Sequence, residues 1–124
     1  MKPGNIGWVD LTVDDAGRVR DFYEKVVGWE SGGVDMGGYQ DYGMVPPGEE
    51  QAIAGVCHAR GSNEGLPPYW LIYIVVTDLD DSLRQCEGLG GKTVAEPKNM
   101  GNNRYAVIED PAGAFCALFE PSKE

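Results

Sequence analysis

Residues 13–29, VDDAGRVRDFYEKVVGW, and residues 76–92, VTDLDDSLRQCEGLGGK, carry one pattern twice, 63 positions apart. At that offset Val13 falls on Val76, Asp15 on Asp78, Val26 on Leu89 and Gly28 on Gly91. Beyond the two stretches, Tyr42 falls on Tyr105 and Ala54 on Ala117. In each stretch a short acid offers an N-cap, because its carboxylate can accept from the free N–H groups of a first helical turn. Ala16, Val19, Phe22, Tyr23 and Val26 then recur at helical spacing, as do Leu79, Leu83, Cys86 and Leu89. Gly28 and the pair Gly90-Gly91 stand where a left-handed residue ends a helix. Two copies are too few for a solenoid, which needs about three repeats to bury its faces. The duplication therefore describes one domain, residues 1–124, made of two similar modules.

Strands flank each helix. Val9, Leu11 and Val13 alternate with Trp8, Asp10 and Thr12, so Ile6 to Val13 reads as a strand. Trp29 to Met36, Gln40 to Val45 and Gln51 to Arg60 follow as strands, with Pro46-Pro47-Gly48 as a turn. Gly61 to Pro68, rich in Gly, Asn, Ser and Pro, is the linker between modules at about 5–60 and 69–121. The second module repeats the order: Trp70 to Val76, the helix, then Lys92 to Glu96, Arg104 to Ile108 and Ala114 to Phe119. Asp110-Pro111-Ala112-Gly113 makes the last turn. Each module is thus β-α-β-β-β. The expected fold is α+β, a curved eight-stranded mixed sheet around a cleft with one helix per module outside.

Composition narrows the partners. Ten Lys plus Arg stand against 20 Asp plus Glu, for a net charge of −10. Nucleic-acid backbones and anionic membranes would repel such a surface, so neither is an expected partner. The longest apolar run, Tyr69 to Val76, is far short of the ~20 residues that cross a bilayer. The start, Met-Lys-Pro-Gly-Asn, lacks the apolar core of a signal peptide. Cys57, Cys86 and Cys116 are odd in number and irregularly spaced, which argues for reduced thiols and a cytoplasmic location.

These stretches resemble the vicinal oxygen chelate superfamily: glyoxalase I, the bleomycin resistance proteins, fosfomycin resistance enzymes and extradiol dioxygenases. The resemblance is carried by Val13-Asp14-Asp15, Asp21 through Trp29, Val76 through Asp80 and Leu89 through Lys92. Asp110 through Phe115 and Leu118-Phe119-Glu120-Pro121 belong to the same pattern, so it covers nearly the whole chain. It implies paired modules in a homodimer. In the family's enzymes it also implies one divalent metal, a Lewis acid held by His, Gln or Glu from the first and last strands of the modules. Transferred position by position, those ligands fall on Trp8 and Leu71, on Ala54 (or Gly55, with a one-residue slip) and on Ala117. None of these side chains can donate a lone pair to a cation. A single histidine also makes a multi-His site impossible within one subunit.

The resemblance therefore implies a protein without metal or cofactor, nearer the bleomycin resistance type than the enzymes. It would hold a small apolar or aromatic compound in the cleft or at a dimer interface. The alternative is a divalent-metal lyase or dioxygenase with ligands drawn from His58, Asp10 and a second chain.

Several residues remain as site candidates. Trp8, Tyr73, Phe115 and Phe119 fall on the expected cleft face, where they either line a ligand site or fill the space a metal would take. Asp10 shares the face of Trp8, and burial there favours its neutral form, which makes it an acid/base candidate. His58 is the natural proton-transfer residue. Alternation places it with Ala54 and Val56, read as the cleft face, though no orienting partner is identifiable. Cys57 and Cys86 are expected in the helix–sheet core.

Overall fold

The computed structural model describes residues 2–122. In chain order the elements are β1 (Ile6–Val13), α1 (Ala16–Val26), β2 (Glu30–Asp35), β3 (Gln40–Val45), β4 (Ala54–His58), β5 (Trp70–Val75), α2 (Leu79–Gly88), β6 (Lys92–Met100), β7 (Asn103–Glu109) and β8 (Phe115–Glu120). The fold is α+β, with eight strands of mixed sense and the β-α-β-β-β order given twice. Val9–Trp70 forms one compact unit, and the residues before Val9 together with those after Trp70 form a second.

In the Val9–Trp70 unit the strand order is β2-β3-β4-β1. β1 runs parallel to β4, pairing Asp10 with Gly55 and Thr12 with Cys57, and the other neighbours are antiparallel. One sheet face is covered by α1. Ala16, Met44 and Val56 form a fully buried cluster, with Val13, Val19, Tyr23, Trp29, Tyr42 and Trp70 packed around it. The Trp70 indole N–H donates to the Tyr23 hydroxyl at 3.2 Å, which satisfies both polar ends in this aromatic layer.

In the second unit the order is β5-β8-β7-β6, with the first residues of β1 alongside β5. Gly4 N–H donates to Val75 O at 2.7 Å and Val75 N–H to Asn5 O at 2.8 Å. β5 runs parallel to β8, pairing Tyr73 with Ala117. α2 covers one face through Leu79, Ala106 and Leu118, with Ile74, Val76, Leu83, Ile108 and Cys116 packed around them.

Both helices begin as the sequence predicts. Asp15 Oδ1 accepts from Arg18 N–H and Asp78 Oδ1 from Asp81 N–H, each at 3.1 Å. The last turn is held by Asp110 Oδ1, which accepts from Ala112 and Ala114 N–H at 2.8 and 3.0 Å. The expected apolar stripes need correction. Phe22 and Val26 on α1 are 57% and 64% exposed, and Leu89 is 74% exposed. Leu89 has left the helix and lies at its C-cap, while the apolar packing of α1 on the sheet is made by Ala16, Val19 and Tyr23.

The 63-residue offset also slips by one within each module. Asp10 and Tyr73 are equivalent at 63, but their strand partners Gly55 and Ala117 are 62 apart. The helix-ending glycines with positive φ are Gly28 and Gly90, at +86° and +96°, rather than Gly28 and Gly91. Tyr42 pairs with Val56 on the helix side, whereas Tyr105 pairs with Phe119 on the other face, so the two tyrosines are not equivalent. Two strands differ from expectation in extent. β4 begins at Ala54 rather than Gln51, after the Gly48 turn, and β6 runs on to Met100 through Pro97. Proline is tolerated there because β6 is an edge strand with a register shift between Ala95 and Lys98.

Candidate functional site

All eight strands belong to one sheet. In each unit its strands have a helix-free face, and strand alternation assigns the residues of that face. In the Val9–Trp70 unit these are Asp10 and Thr12 on β1, Asp41 and Gly43 on β3, and Gly55 and Cys57 on β4. Trp8 points to the same side of β1 as Asp10, and both are half-buried. Thr12 and Asp41 are the buried polar residues among those described, at 3% and 4% exposure.

This assignment corrects two expectations. Ala54 and Val56 lie on the helix side, where Val56 packs against Ala16 and Met44. The alternation that places His58 with them therefore places it away from Asp10. Cys57, expected in the helix–sheet core, lies instead on the helix-free face beside Asp10 and Asp41. The cause of both errors is the one-residue slip, which exchanges the faces of β4.

Asp41 is the residue that sequence reasoning missed. Its Oδ1 accepts the His58 backbone N–H at 2.8 Å and lies 3.4 Å from His58 Nδ1. The same Nδ1 is 2.9 Å from Gln40 O, so it faces two acceptors and carries the ring proton. Tyr39 stands edge-on to the imidazole at 5.6 Å between centroids, with the Arg60 guanidinium 4.0 Å above the tyrosine ring. His58 thus has an orienting partner after all, at a strand end. Asp41 Oδ2 is buried with no hydrogen-bond partner among the described residues. The available signal was weak: an acid in a strand between Gln40 and Tyr42, whose facing depends wholly on register.

Burial pushes the Cys57 thiol far above its ordinary range, and the charges of Asp10 and Asp41 push it in the same direction. Cys116 is raised too, chiefly by burial. The folded protein at pH 8 should therefore leave Cys57 unmodified by iodoacetamide over a time in which the unfolded chain is alkylated at all three cysteines. Peptide mass spectrometry reads this directly, and fast labelling of Cys57 in the folded state would contradict the assignment. The sign for stability follows. Above about pH 8.5 an unfolded thiol loses its proton while folded Cys57 keeps it, so the native state binds more protons and stability falls as pH rises through that range.

The second unit has a different helix-free face. Leu71, Tyr73 and Val75 on β5, Tyr105 and Val107 on β7, and Ala117 and Phe119 on β8 are all buried, none above 9% exposure. Phe115, at the start of β8, is half-buried on the same side. The Tyr73 and Tyr105 rings lie 6.0 Å apart, tilted by 46°. This face is apolar and aromatic, with the phenolic hydroxyls as its polar groups.

The residues do not fit a metal. Once the slip is resolved, the positions to compare are Trp8, Gly55, Leu71 and Ala117, none with a lone-pair side chain. Among the described residues no three His, Cys, Asp or Glu side chains are grouped as ligands would be.

The sequence pattern of the Glyoxalase/Bleomycin resistance protein/Dioxygenase superfamily matches residues 5–117. CFP32 of Mycobacterium tuberculosis, a proposed glyoxylase, is 30% identical over 122 residues, covering 98% of this chain and 46% of CFP32. The anthracycline biosynthesis protein DnrV of Streptomyces peucetius is 30% identical over 122 residues, covering 95% of this chain and 42% of DnrV. The chain thus spans less than half the length of both relatives. Among solved structures, methylmalonyl-CoA epimerase from Mycobacterium tuberculosis superimposes with a TM-score of 0.53 at 20% identity, covering 94% of this chain and 87% of the epimerase. At that identity the likeness concerns the fold alone.

Proposed function

Because this chain belongs to the glyoxalase/bleomycin resistance protein/dioxygenase superfamily, we propose that it is a small-molecule-binding member that works without the family's metal and takes an apolar or aromatic compound. The observation that carries this reading is the replacement of every donor position by Trp8, Gly55, Leu71 and Ala117, together with the aromatic helix-free face of Tyr73, Tyr105 and Phe119. Planar compounds gain by stacking on such rings and by leaving water. Trp8, Tyr73, Phe115 and Phe119, all of one compact unit, are the residues we assign to the ligand, and Asp10 is a separate candidate on the helix-free face of the Val9–Trp70 unit. His58, on the helix side of β4, is not assigned to the ligand.

The name of one relative, DnrV, agrees with the ligand class, since an anthracycline is a polycyclic aromatic compound. The three free cysteines fit a reducing, cytoplasmic setting. A thermal-shift titration of chelator-treated protein with indole and 2-naphthol tests the reading. A ligand present at 100 times its Kd stabilises the folded state by about 2.7 kcal/mol, an increase easily seen in Tm. No response to either aromatic probe would count against it.

A further inference from the structure

We infer that the aromatic helix-free face of the second unit takes an organic anion, an aromatic carboxylate, with Lys98 as the counter-ion at its edge. The inference rests on the ligand-binding reading above and names the charge of the ligand. Every residue it uses belongs to the one compact unit that holds Leu71–Glu124. Across the strands of that face Lys98 on β6 stands opposite Tyr105 on β7, and Tyr105 opposite Phe119 on β8. Residues directly opposite in such a ladder have Cβ atoms about 5 Å apart, which seats the base of the lysine side chain beside Tyr105. Lys98 is half-buried, whereas Tyr73, Tyr105 and Phe119 are buried, so the lysine marks the rim of the aromatic face.

Two register shifts in β6 put it there. Lys92 pairs with Glu109 and Thr93 with Ile108, and an unbroken ladder continued from them would set Glu96 opposite Tyr105. The shifts between Thr93 and Ala95 and between Ala95 and Lys98 give that place to Lys98 instead. Irregularities of this kind re-aim side chains, and here the change is from a carboxylate to an ammonium. Glu96 is exposed and lines a groove with Leu83 and Glu87 of α2. The other charged strand residues of the face are Glu109 and Lys92, which stand opposite each other. Asp80 and Glu120, the acids beside Arg104, lie on the helix side. The strand residues of this face therefore leave one positive charge, in a chain whose net charge is −10. An ammonium has three donors, so it can serve a protein neighbour and a ligand carboxylate together. The charge-assisted bond it makes is stronger than a neutral one.

2-Naphthoate and 2-naphthamide provide the test, since they differ in a carboxylate against a neutral amide on one ring system. Both are titrated at pH 7 into 15N-labelled protein. 2-Naphthoate is expected to bind about tenfold more tightly, as one charge-assisted bond warrants, with shifts at the amides of Lys98, Tyr105 and Phe119. The negative charge of the whole chain works against that order, so the preference reports a local cation. Lys98→Met keeps the apolar stem while removing the charge, and should bring the two affinities close to equality. Lys92→Met removes an equal charge from the same strand and should leave the preference in place. Equal binding by the native protein, a preference that persists in a folded Lys98→Met variant, or one lost equally in Lys92→Met, would overturn the inference and leave the broader reading standing. Amide shifts confined to the Val9–Trp70 unit would also overturn it, and that readout needs no variant. If neither compound binds, both readings fail.

Discussion

Replacing Leu79 with alanine is expected to destabilise the protein by about 2–5 kcal/mol, read as a fall in the urea midpoint with an unchanged m-value. Leu79 follows the cap residue Asp78, opens α2 and is fully buried. It is the side chain through which the helix joins Ala106 of β7 and Leu118 of β8. Little around it can collapse cheaply, because Leu118 is held in the sheet between Ile74 of β5 and Ala106 of β7. Leu89 makes the matching control. It belongs to the same sequence stripe but is 74% exposed, so Leu89→Ala should change stability by less than about 0.5 kcal/mol. Similar losses at the two positions would mean that α2 is packed differently from the description given above.

Gly91→Ala is the second large effect, with an expected cost of about 1–3 kcal/mol from crowding. A Cβ built at Gly91 would lie 2.9 Å from Glu109 O and 3.1 Å from Cys86 O, and 2.6 Å from Cys86 Sγ. The first two are backbone atoms of β7 and α2 and cannot swing away. Cys86→Ala would remove the sulfur contact alone, so it should restore only part of the loss. At Gly33 the obstacle is the Gln40 side chain, which can move, and Gly33→Ala should be mild by comparison. At Gly90 the reason for glycine is different: nothing lies within 4 Å, but φ is +96°. The adjacent glycines thus do separate jobs, one conformational and one steric. Thermal or urea unfolding of the variants checks the order.

The features legible in the sequence are those fixed by nearest neighbours. Asp15 and Asp78 cap their helices because a carboxylate three residues before a free N–H has one obvious use, and the Asp110 turn follows from the same chemistry. The duplicated module order was legible because the helices and their caps repeat almost in register. What resisted reading depends on contacts distant in the chain. A one-residue slip between Asp10 and Gly55 exchanges the two faces of β4, and alternation alone carries no sign of it. His58 and Cys57 were consequently assigned to each other's sides. Asp41 stayed hidden for the same reason, since its partner His58 is 17 residues away on a strand whose register no local pattern fixes. Phe22 and Val26 carried helical periodicity without burial, because periodicity reports a face and not what covers it.

The central claim, that an aromatic compound is held without a metal, comes down to one titration made twice. The purified protein is titrated with indole and 2-naphthol before and after chelator treatment, with metal content determined on the same samples. We predict no stoichiometric Ni, Zn, Mn or Fe and the same rise in Tm in both titrations. A stoichiometric metal, or a response to the compound that disappears on chelation and returns with added metal, would contradict the claim.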